Sequence, residues 1–215
     1  MTLLALVVFT FSTYAQVTET SRSMSQGKNN ALTILLKRTD KKEIEKNLEK
    51  FLKKNYDGKT KRNKKSGEIF SDNSKIDKMS SNTVDIYAIV DEAGEDTQLT
   101  VWFDLGGAYL SSAIHTDRFP AGEKVLNDFA LTVSKAQVEE ELKSQKKSLG
   151  KLEGDLKDLE KDEKKLHKDI KEWEEKIAKA KKEIEEKQLA QKNKVKEIET
   201  QKQVVKDVET TLKKL

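Results

Sequence analysis

The sequence is poor in the residues that carry most enzyme chemistry. Its 215 residues include no cysteine, two histidines, one proline and nine glycines. The absence of cysteine excludes disulfide bonds, thiolate zinc sites and cysteine nucleophiles. Two histidines, His115 and His167, are too few for a multi-histidine metal site and disfavour a histidine-based catalytic centre. We therefore expect a protein that is not an enzyme and that holds no metal and no cofactor.

Long apolar runs are absent as well. The most apolar stretch, Leu3 to Phe11, has nine residues interrupted only by Thr10, which is too short to span a bilayer. The small residues of Thr13-Tyr14-Ala15 match a signal-peptidase site, although no lysine or arginine precedes the run. We expect residues 1–15 to be a signal peptide cleaved before Gln16, and the mature chain to be exported, periplasmic or extracellular, without a transmembrane span. The alternative is a buried N-terminal strand.

The next part of the sequence predicts a small α+β domain over residues 31–137, preceded by a flexible polar leader over residues 16–30. A strand is expected at 31–36, an amphipathic helix at 40–55 and a hairpin whose two strands alternate over 84–90 and 99–105. A second helix follows, with Pro120 in its first turn. The order of strand, helix, several antiparallel strands and helix is typical of the α+β class, with helices on one face of the sheet.

The last 78 residues, 138–215, carry the strongest pattern. Alternating steps of four and three residues from Val138 to Leu215 meet 23 positions, of which 17 are apolar. This unbroken 3.5-residue repeat predicts that the second helix continues into a left-handed coiled coil. The predicted core includes Leu142, Leu149, Leu152, Leu156, Leu159, Leu166, Ile170, Trp173, Ile177, Ile184, Ile198, Val205, Val208 and Leu212.

Charged and polar side chains complicate this coil. Lys187, Gln191 and Lys194 occupy consecutive core positions, which predicts a weak point, a hinge or a fold-back. A parallel dimer would also oppose like charges beside the core, for example Asp155 with Glu160. Because such pairs are worth only tenths of a kcal/mol, a parallel dimer, an antiparallel pair, an intramolecular hairpin and a different partner protein all remain open.

A basic region precedes an acidic one. Residues 37–65 hold 13 basic and 5 acidic side chains, whereas residues 66–117 hold 2 basic and 10 acidic ones. A patch for an anionic envelope ligand, such as lipopolysaccharide, anionic lipid or acidic glycan, is one interpretation; nucleic acid is not expected. Its residues would be Lys53, Lys54, Lys59, Lys61, Arg62, Lys64 and Lys65. The alternative is a solvated face that pairs internally with the acidic region.

Three smaller motifs have ordinary explanations. Gly106-Gly107 lacks the residues that accompany a phosphate-binding turn, so we expect a turn at the end of a strand. Glu163 and His167, four residues apart, are two ligands short of a usual metal site. His115 with Asp117 also supplies only two ligands. Trp173 is expected to be an oversized core residue that needs a small residue opposite.

The predicted export signal ending in Ala15-Gln16, followed by a small α+β domain, resembles uncharacterised exported proteins of Bacteroidota, and the segments 25–30 (SQGKNN) and 100–107 (TVWFDLGG) are the most distinctive stretches of this resemblance. The order of elements is also similar to TATA-binding-protein-like or helix-grip domains. The resemblance implies a lineage and a compartment but no active site. We expect an exported structural or interaction protein, an α+β domain carried on a coiled coil in the cell envelope. It would self-associate or bind another envelope protein through the coil, or bind an anionic ligand while the coil oligomerises it.

Overall fold

The computed structural model describes residues 16–213. The elements are β1 (Thr18–Met24), β2 (Gly27–Leu36), α1 (Lys41–Tyr56), β3 (Lys59–Arg62), β4 (Ile69–Ser74), β5 (Val84–Ala93), β6 (Asp96–Asp104) and α2 (Phe119–Leu212). The predicted α+β class is confirmed, with one antiparallel six-stranded sheet and two helices, the second long and C-terminal. The predicted signal peptide, residues 1–15, lies outside the described residues.

Contacts divide the chain into two units, Met1–Lys143 and Ser144–Leu215. We call the described part of the first unit, residues 16–143, the α+β domain. The division falls six residues after the boundary expected from the sequence, which lay between 137 and 138. The first unit therefore includes the opening six residues of the predicted coil.

The helices cover one face of the sheet, whose strands lie in the order β1-β2-β6-β5-β4-β3. Alternate residues of a strand point to opposite faces, and Ile86, Ala88 and Val90 of β5 pair with Phe103, Val101 and Leu99 of β6 on the covered face. These six side chains are buried together with apolar residues of both helices, namely Ile44, Leu48, Leu52, Val125, Leu126 and Phe129. The predicted hairpin and both amphipathic helices are confirmed by this core.

Local sequence signals set the ends of α1. The carboxylate of Asp40 accepts hydrogen bonds from the backbone N–H groups of Lys42 and Glu43, at 2.9 and 3.1 Å. This capping satisfies donors that the first helical turn leaves free. At the other end, Asp57 adopts a left-handed conformation with φ of 57°, which ends the helix before Gly58. The helix runs one residue beyond the predicted 40–55 range.

Residues 16–30 form a hairpin with the start of the next strand, so the prediction of a flexible leader is wrong. All seven residues of β1 pair with β2, and the turn closes at Gly27, whose φ of +97° disfavours other residues. The hairpin is held by polar contacts rather than by an apolar stripe. The Arg22 guanidinium donates to Thr100 Oγ1 at 2.8 Å and to Asp91 Oδ2 at 2.9 Å, while Ser25 donates twice to Glu68.

These contacts cover the sheet face opposite the helices. Trp102 lies on that face, is fully buried, and donates from Nε1 to the carbonyl oxygen of Asn29 at 3.3 Å. Thr100 and Thr33, on the same face, are also buried. The middle of β6 is therefore buried on both faces, although the apolar pattern of the sequence indicates only one buried face; the outer-face residues of the neighbouring β5 are half-buried.

The second helix begins close against the sheet. Pro120 stands in its first turn as predicted. A Cβ added at Gly122 would lie 2.5 Å from Leu110 Cδ2 and 3.3 Å from Cδ2 of Leu32 in β2, so glycine allows this approach. Over residues 144–212 the second unit is helical throughout, including Gly150, Gly154 and the segment from Lys187 to Lys194. The polar core positions thus produce no fold-back in the described chain. No helix among residues 16–213 is long and apolar enough to cross a membrane.

Candidate interaction surfaces

The predicted coil residues form an exposed apolar stripe on α2. The stripe consists of the fourteen core residues named above, Leu142 to Leu212, and each of them is between 46% and 71% exposed. Other apolar side chains of the helix, among them Leu189, Val195 and Val204, are exposed outside the heptad core positions. An aligned row of large apolar side chains in water marks an interaction surface.

Charged residues surround the stripe on the rest of this helix. Ion pairs form within the helix between Lys161 and Asp158 at 2.9 Å and between Lys168 and Glu172 at 3.9 Å. His167 Nε2 lies 3.6 Å from Glu163 Oε1, and both side chains are largely exposed. These two residues are the metal candidate that the sequence places on the helix. No group of three metal-ligating side chains occurs among residues 16–213.

The structure separates the predicted basic patch into three places. Lys53 and Lys54 lie in the last turn of α1, and Lys64 and Lys65 lie in the turn between β3 and β4. The other three are on β3, an edge strand, where alternation directs Lys59 and Lys61 to the face opposite α1. Lysines on an edge strand also hinder pairing with other chains, so these two have a structural explanation.

Arg62 is occupied by an ion pair inside the α+β domain. It lies on the α1 side of β3 and pairs with the buried carboxylate of Glu45. The six lysines of the patch are exposed and have no ion pair within residues 16–213. The residues predicted as one patch thus divide among the end of α1, the β3–β4 turn and the two faces of β3.

Lys54 of the predicted patch lines a groove between α1 and the first turns of α2. Its volume is about 700 Å³, and Lys50 and Lys54 of α1 line it with Lys124 and Leu131 of α2. Phe51 and Phe129 meet below it with ring centroids 5.2 Å apart. Lys124 is neutralised by Asp128 at 2.9 Å. Lys50 and Lys54 therefore leave a basic rim above an apolar floor.

Tyr56 also lines this groove. Burial, with a contribution from the Asp128 carboxylate, raises the pKa of Tyr56 to about 12, so the phenol is neutral and able to donate a hydrogen bond at neutral pH. No sequence signal points to this groove, because Lys50 and Lys124 are separated by more than seventy residues in ordinary amphipathic helices.

The outer sheet face also carries aromatic rings beside carboxylates. Phe70 and Tyr87 are tilted against each other with centroids 4.8 Å apart, and Asp85 is the cross-strand neighbour of Asp104. Burial and the nearby Asp104 raise the pKa of Tyr109 to about 12. The carboxylate of Asp85 accepts a hydrogen bond from the backbone N–H of Asn73, so it already has a partner within the domain.

The Gly106-Gly107 motif is a strand-end turn, as predicted. Both glycines have positive φ, and their N–H groups donate to the Asp104 carboxylate at 2.9 and 3.2 Å. Asp104 therefore occupies the donors that a phosphate would need. His115, the other candidate, accepts at Nδ1 from the Ser111 N–H at 3.3 Å and belongs to the turns before α2.

The two segments that carry the resemblance to exported proteins of Bacteroidota meet in the fold. Segment 25–30 contains the hairpin turn and Asn29, and segment 100–107 contains Thr100 and Trp102, which hold that hairpin. The contact gives both segments a structural role. Comparison of the chain with protein-family models, with curated proteins and with solved structures found no match in any of the three.

Proposed function

We propose that this protein is a non-enzymatic, exported interaction protein of the cell envelope, and that it associates with another helix through the apolar stripe of α2. One observation carries the proposal: fourteen large apolar side chains at heptad core positions are about half exposed or more along one helix. Burying a large apolar side chain is worth roughly 1.5–3 kcal/mol. A long stripe therefore supplies a large driving force for association.

A matched pair of substitutions tests the proposal. Leu159 is at a heptad core position and Leu189 is at the outermost position, yet the two leucines are 66% and 62% exposed. If the stripe is the association surface, Leu159→Ala should weaken self-association or partner binding of the full chain by roughly 2–4 kcal/mol per buried copy. Leu189→Ala should change it little, because that side chain faces away from the partner.

Sedimentation of the full chain and melting followed by circular dichroism at several concentrations provide the measurement. A melting temperature of the second unit that rises with concentration supports self-association. Equal effects of the two alanine substitutions would contradict the proposal, because then the stripe would not be distinguished from the rest of the helix surface.

The groove between α1 and α2 favours a second candidate function, binding of an anionic amphiphile. An example is a lipid whose acyl chain would lie on the apolar floor of the groove. Lys50 and Lys54 have no ion-pair partner within residues 16–213, and apolar side chains lie below them. The chemistry combines a cationic rim with an apolar floor. This candidate keeps the predicted anionic ligand but moves the site from the 53–65 patch to the groove.

Calorimetric titration with dodecyl phosphate tests this candidate. Replacement of Lys50 and Lys54 by Glu should abolish binding. Lys42→Glu is the control, because Lys42 is on the same helix but outside the groove lining and too far from Lys50 to pair with it; this change should leave binding nearly unchanged. Binding should weaken at high salt, because salt screens the exposed lysines. Binding that is insensitive to the Lys50 and Lys54 changes would exclude the groove as the site.

Export is part of the proposal and rests on residues 1–15 of the sequence. N-terminal sequencing of the protein from a periplasmic or secreted fraction should begin at Gln16. An intact Met1 on protein recovered from the cytosol would contradict export, and it would leave the association proposal unaffected.

A further inference from the structure

We infer that the partner of the apolar stripe is a second copy of the same chain, antiparallel to the first, with Ile177 facing the partner's Ala180. This inference rests on the proposed function and specifies its partner, direction and register. The parallel and antiparallel arrangements bring different residues together across the core and along its two flanks. In the heptad notation, Leu142 and every seventh residue after it occupy position a, and Leu152 occupies position d.

A parallel, in-register pair is disfavoured by the core itself. In that arrangement each core residue faces its own copy, so Glu163 would face Glu163, Lys187 would face Lys187, and Lys194 would face Lys194. Three layers would then bury like charges, and burial of an uncompensated charge is costly. Beside the core, Asp155 with Glu160, Asp169 with Glu174, and Lys176 with Lys181 would also repel, and only Glu197 with Lys202 would attract.

Reversing one helix changes every pairing. Core position a then faces core position d of the partner. The flanking positions pair with their own kind: position e, which includes Glu174 and Lys181, faces e, and position g, which includes Lys176 and Glu183, faces g. With Ile177 opposite the partner's Ala180, Glu163 lies opposite the partner's Lys194, and by symmetry this pair occurs twice. Two of the like-charged layers of the parallel arrangement thus become opposite-charge layers. Several layers become apolar on both sides: Leu149 with Val208, Leu152 with Val205, Leu159 with Ile198, Trp173 with Ile184, and Ile177 with Ala180. Trp173 thus faces Ile184 rather than the small residue expected from the sequence, and the small residue, the partner's Ala180, lies in the next layer.

The flanking charges favour the same register. Four pairs attract, namely Lys146 with Glu209, Glu153 with Lys202, Glu174 with Lys181, and Lys176 with Glu183; only Asp162 with Glu197 repels. All four attractive pairs occur twice in a symmetric dimer. Glu174 and Lys181 are exposed on the described helix, and the ion pairs described above for that helix use other side chains.

The neighbouring antiparallel registers are worse. A shift by one heptad that brings Glu163 opposite Lys187 makes Lys146 face Lys202 and Asp155 face Glu197, and it leaves no attractive flanking pair. The opposite shift places Glu163 opposite Gln201 and makes Glu153 face Glu209. A shift by two heptads forms three other attractions, Glu139 with Lys202, Glu160 with Lys181 and Asp169 with Lys176, but it places Glu163 opposite Ala180, where the charge of Glu163 has no core partner. The register with Ile177 opposite Ala180 combines core and flank complementarity.

Charge reversals at positions 174 and 181 give opposite results in the two orientations. In the antiparallel register, Glu174→Lys makes two lysine–lysine pairs with position 181, and Lys181→Glu makes two glutamate–glutamate pairs. Either change should raise the dimer dissociation constant of the full chain roughly tenfold, because the symmetry converts two attractions into repulsions. The double variant should return to within about threefold of wild type, since the pairs are restored with reversed sign.

A parallel dimer would respond in the other direction. There the lysine introduced by Glu174→Lys would face the partner's Asp169, and the glutamate introduced by Lys181→Glu would face the partner's Lys176, so each single reversal would strengthen association. Glu175→Lys is the matched control, because position 175 is on the outer face of the helix in both orientations. It removes attractions within its own helix, and it should change the dissociation constant by less than about twofold.

Sedimentation equilibrium of the full chain measures these constants, and cysteine pairing checks the register. Because the native chain has no cysteine, a disulfide can form only where one is introduced. A mixture of Leu152→Cys and Val205→Cys chains should give cross-linked dimers between the two variants, and neither variant alone should do so, because each position is far from its own copy in the antiparallel register. In a parallel dimer, each variant would cross-link with itself.

The outcomes separate this inference from the proposed function. Weakening by both single reversals, with recovery in the double variant, supports the antiparallel register. A wild-type dimer that the reversals strengthen or leave unchanged overturns the inference, while the Leu159 and Leu189 comparison still tests the stripe. A wild-type chain that remains monomeric at high micromolar concentration overturns the inference, and binding of a different helix sensitive to Leu159→Ala would then preserve the proposed function.

Discussion

The two tryptophans of this chain have opposite environments, which the sequence does not distinguish. Trp102 alternates with apolar strand residues and would be expected on the solvent side of a half-buried sheet, yet it is fully buried. Trp173 falls at a heptad core position and is 57% exposed. The difference arises because the polar β1–β2 hairpin covers Trp102, and a covering segment of that kind carries no apolar signature of its own.

Truncating each tryptophan should therefore affect different parts of the molecule. Trp102→Ala should destabilise the α+β domain by about 3–5 kcal/mol, because it leaves a cavity between the sheet and the hairpin. Trp173→Ala should leave that domain within about 0.5 kcal/mol of wild type. Hydrogen exchange of the β5 and β6 amides measures the stability of the α+β domain in both variants. Equal protection in the two variants would contradict the buried position of Trp102.

Tyr56 gives the domain a dependence on alkaline pH. Its pKa is raised to about 12 by burial and by Asp128, whereas an unfolded tyrosine has a pKa near 10. A raised pKa means that the stabilisation is complete below about pH 10 and is lost as the pH rises towards 12. Tyr56→Phe should make the fall in urea midpoint between these pH values shallower. A fall as steep as that of wild type would show that other groups cause it.

Among the helices and strands, the sequence predicts those that have a regular apolar periodicity. The β5–β6 hairpin and α1 are within a few residues of their predicted bounds because alternation, the Asp40 cap and Asp57-Gly58 all mark them. The β1–β2 hairpin is not predictable in this way, because β1 and the first four residues of β2 show few apolar residues and the hairpin's contacts join positions far apart, such as Ser25 with Glu68. Long-range polar contacts of this kind leave no periodic trace in a sequence.

The hairpin should be necessary for a stable α+β domain. A chain of residues 16–143 should unfold cooperatively, because its helices cover one face of the sheet and its β1–β2 hairpin covers part of the other. A chain of residues 28–143 lacks β1 and the turn, so Trp102 loses its cover and the bonds from Arg22 and Ser25 are lost. Its tryptophan emission should shift to longer wavelength, and its melting temperature should fall. Identical emission and melting of the two chains would show that the hairpin contributes no stability.

The interaction surfaces are only partly predictable from the sequence. The heptad stripe is visible there because one helix carries all of it, and the structure leaves the named side chains exposed. The basic patch is predicted from clustering along the chain, but β3 alternates its side chains between two faces and Glu45 occupies Arg62. The groove unites residues from both helices. Sites formed by one element can thus be read from sequence, whereas sites formed by several depend on the packing.

In an assembled dimer, Lys187 and Lys194 should contribute differently to stability, although both occupy core positions of the heptad pattern. From sequence alone, replacing Lys187 or Lys194 by Leu should stabilise the coil, because an apolar side chain replaces a desolvated charge. In the antiparallel register, however, Lys187 faces the apolar Ile170 of the second copy, whereas Lys194 faces Glu163. Only Lys187 is without a core partner of opposite charge.

Lys187→Leu should therefore raise the melting temperature of the associated chain, since it adds apolar contact and removes a buried charge. Lys194→Leu should lower it, because Glu163 is left buried and unpaired, and breaking a buried pair on one side is strongly destabilising. Adding Glu163→Leu to Lys194→Leu should recover the loss, as an apolar layer replaces the broken ion pair. Melting followed by circular dichroism at one fixed concentration compares the variants. Stabilisation by both single changes would instead indicate that Lys194 has no acidic partner, and a different pairing would then be required.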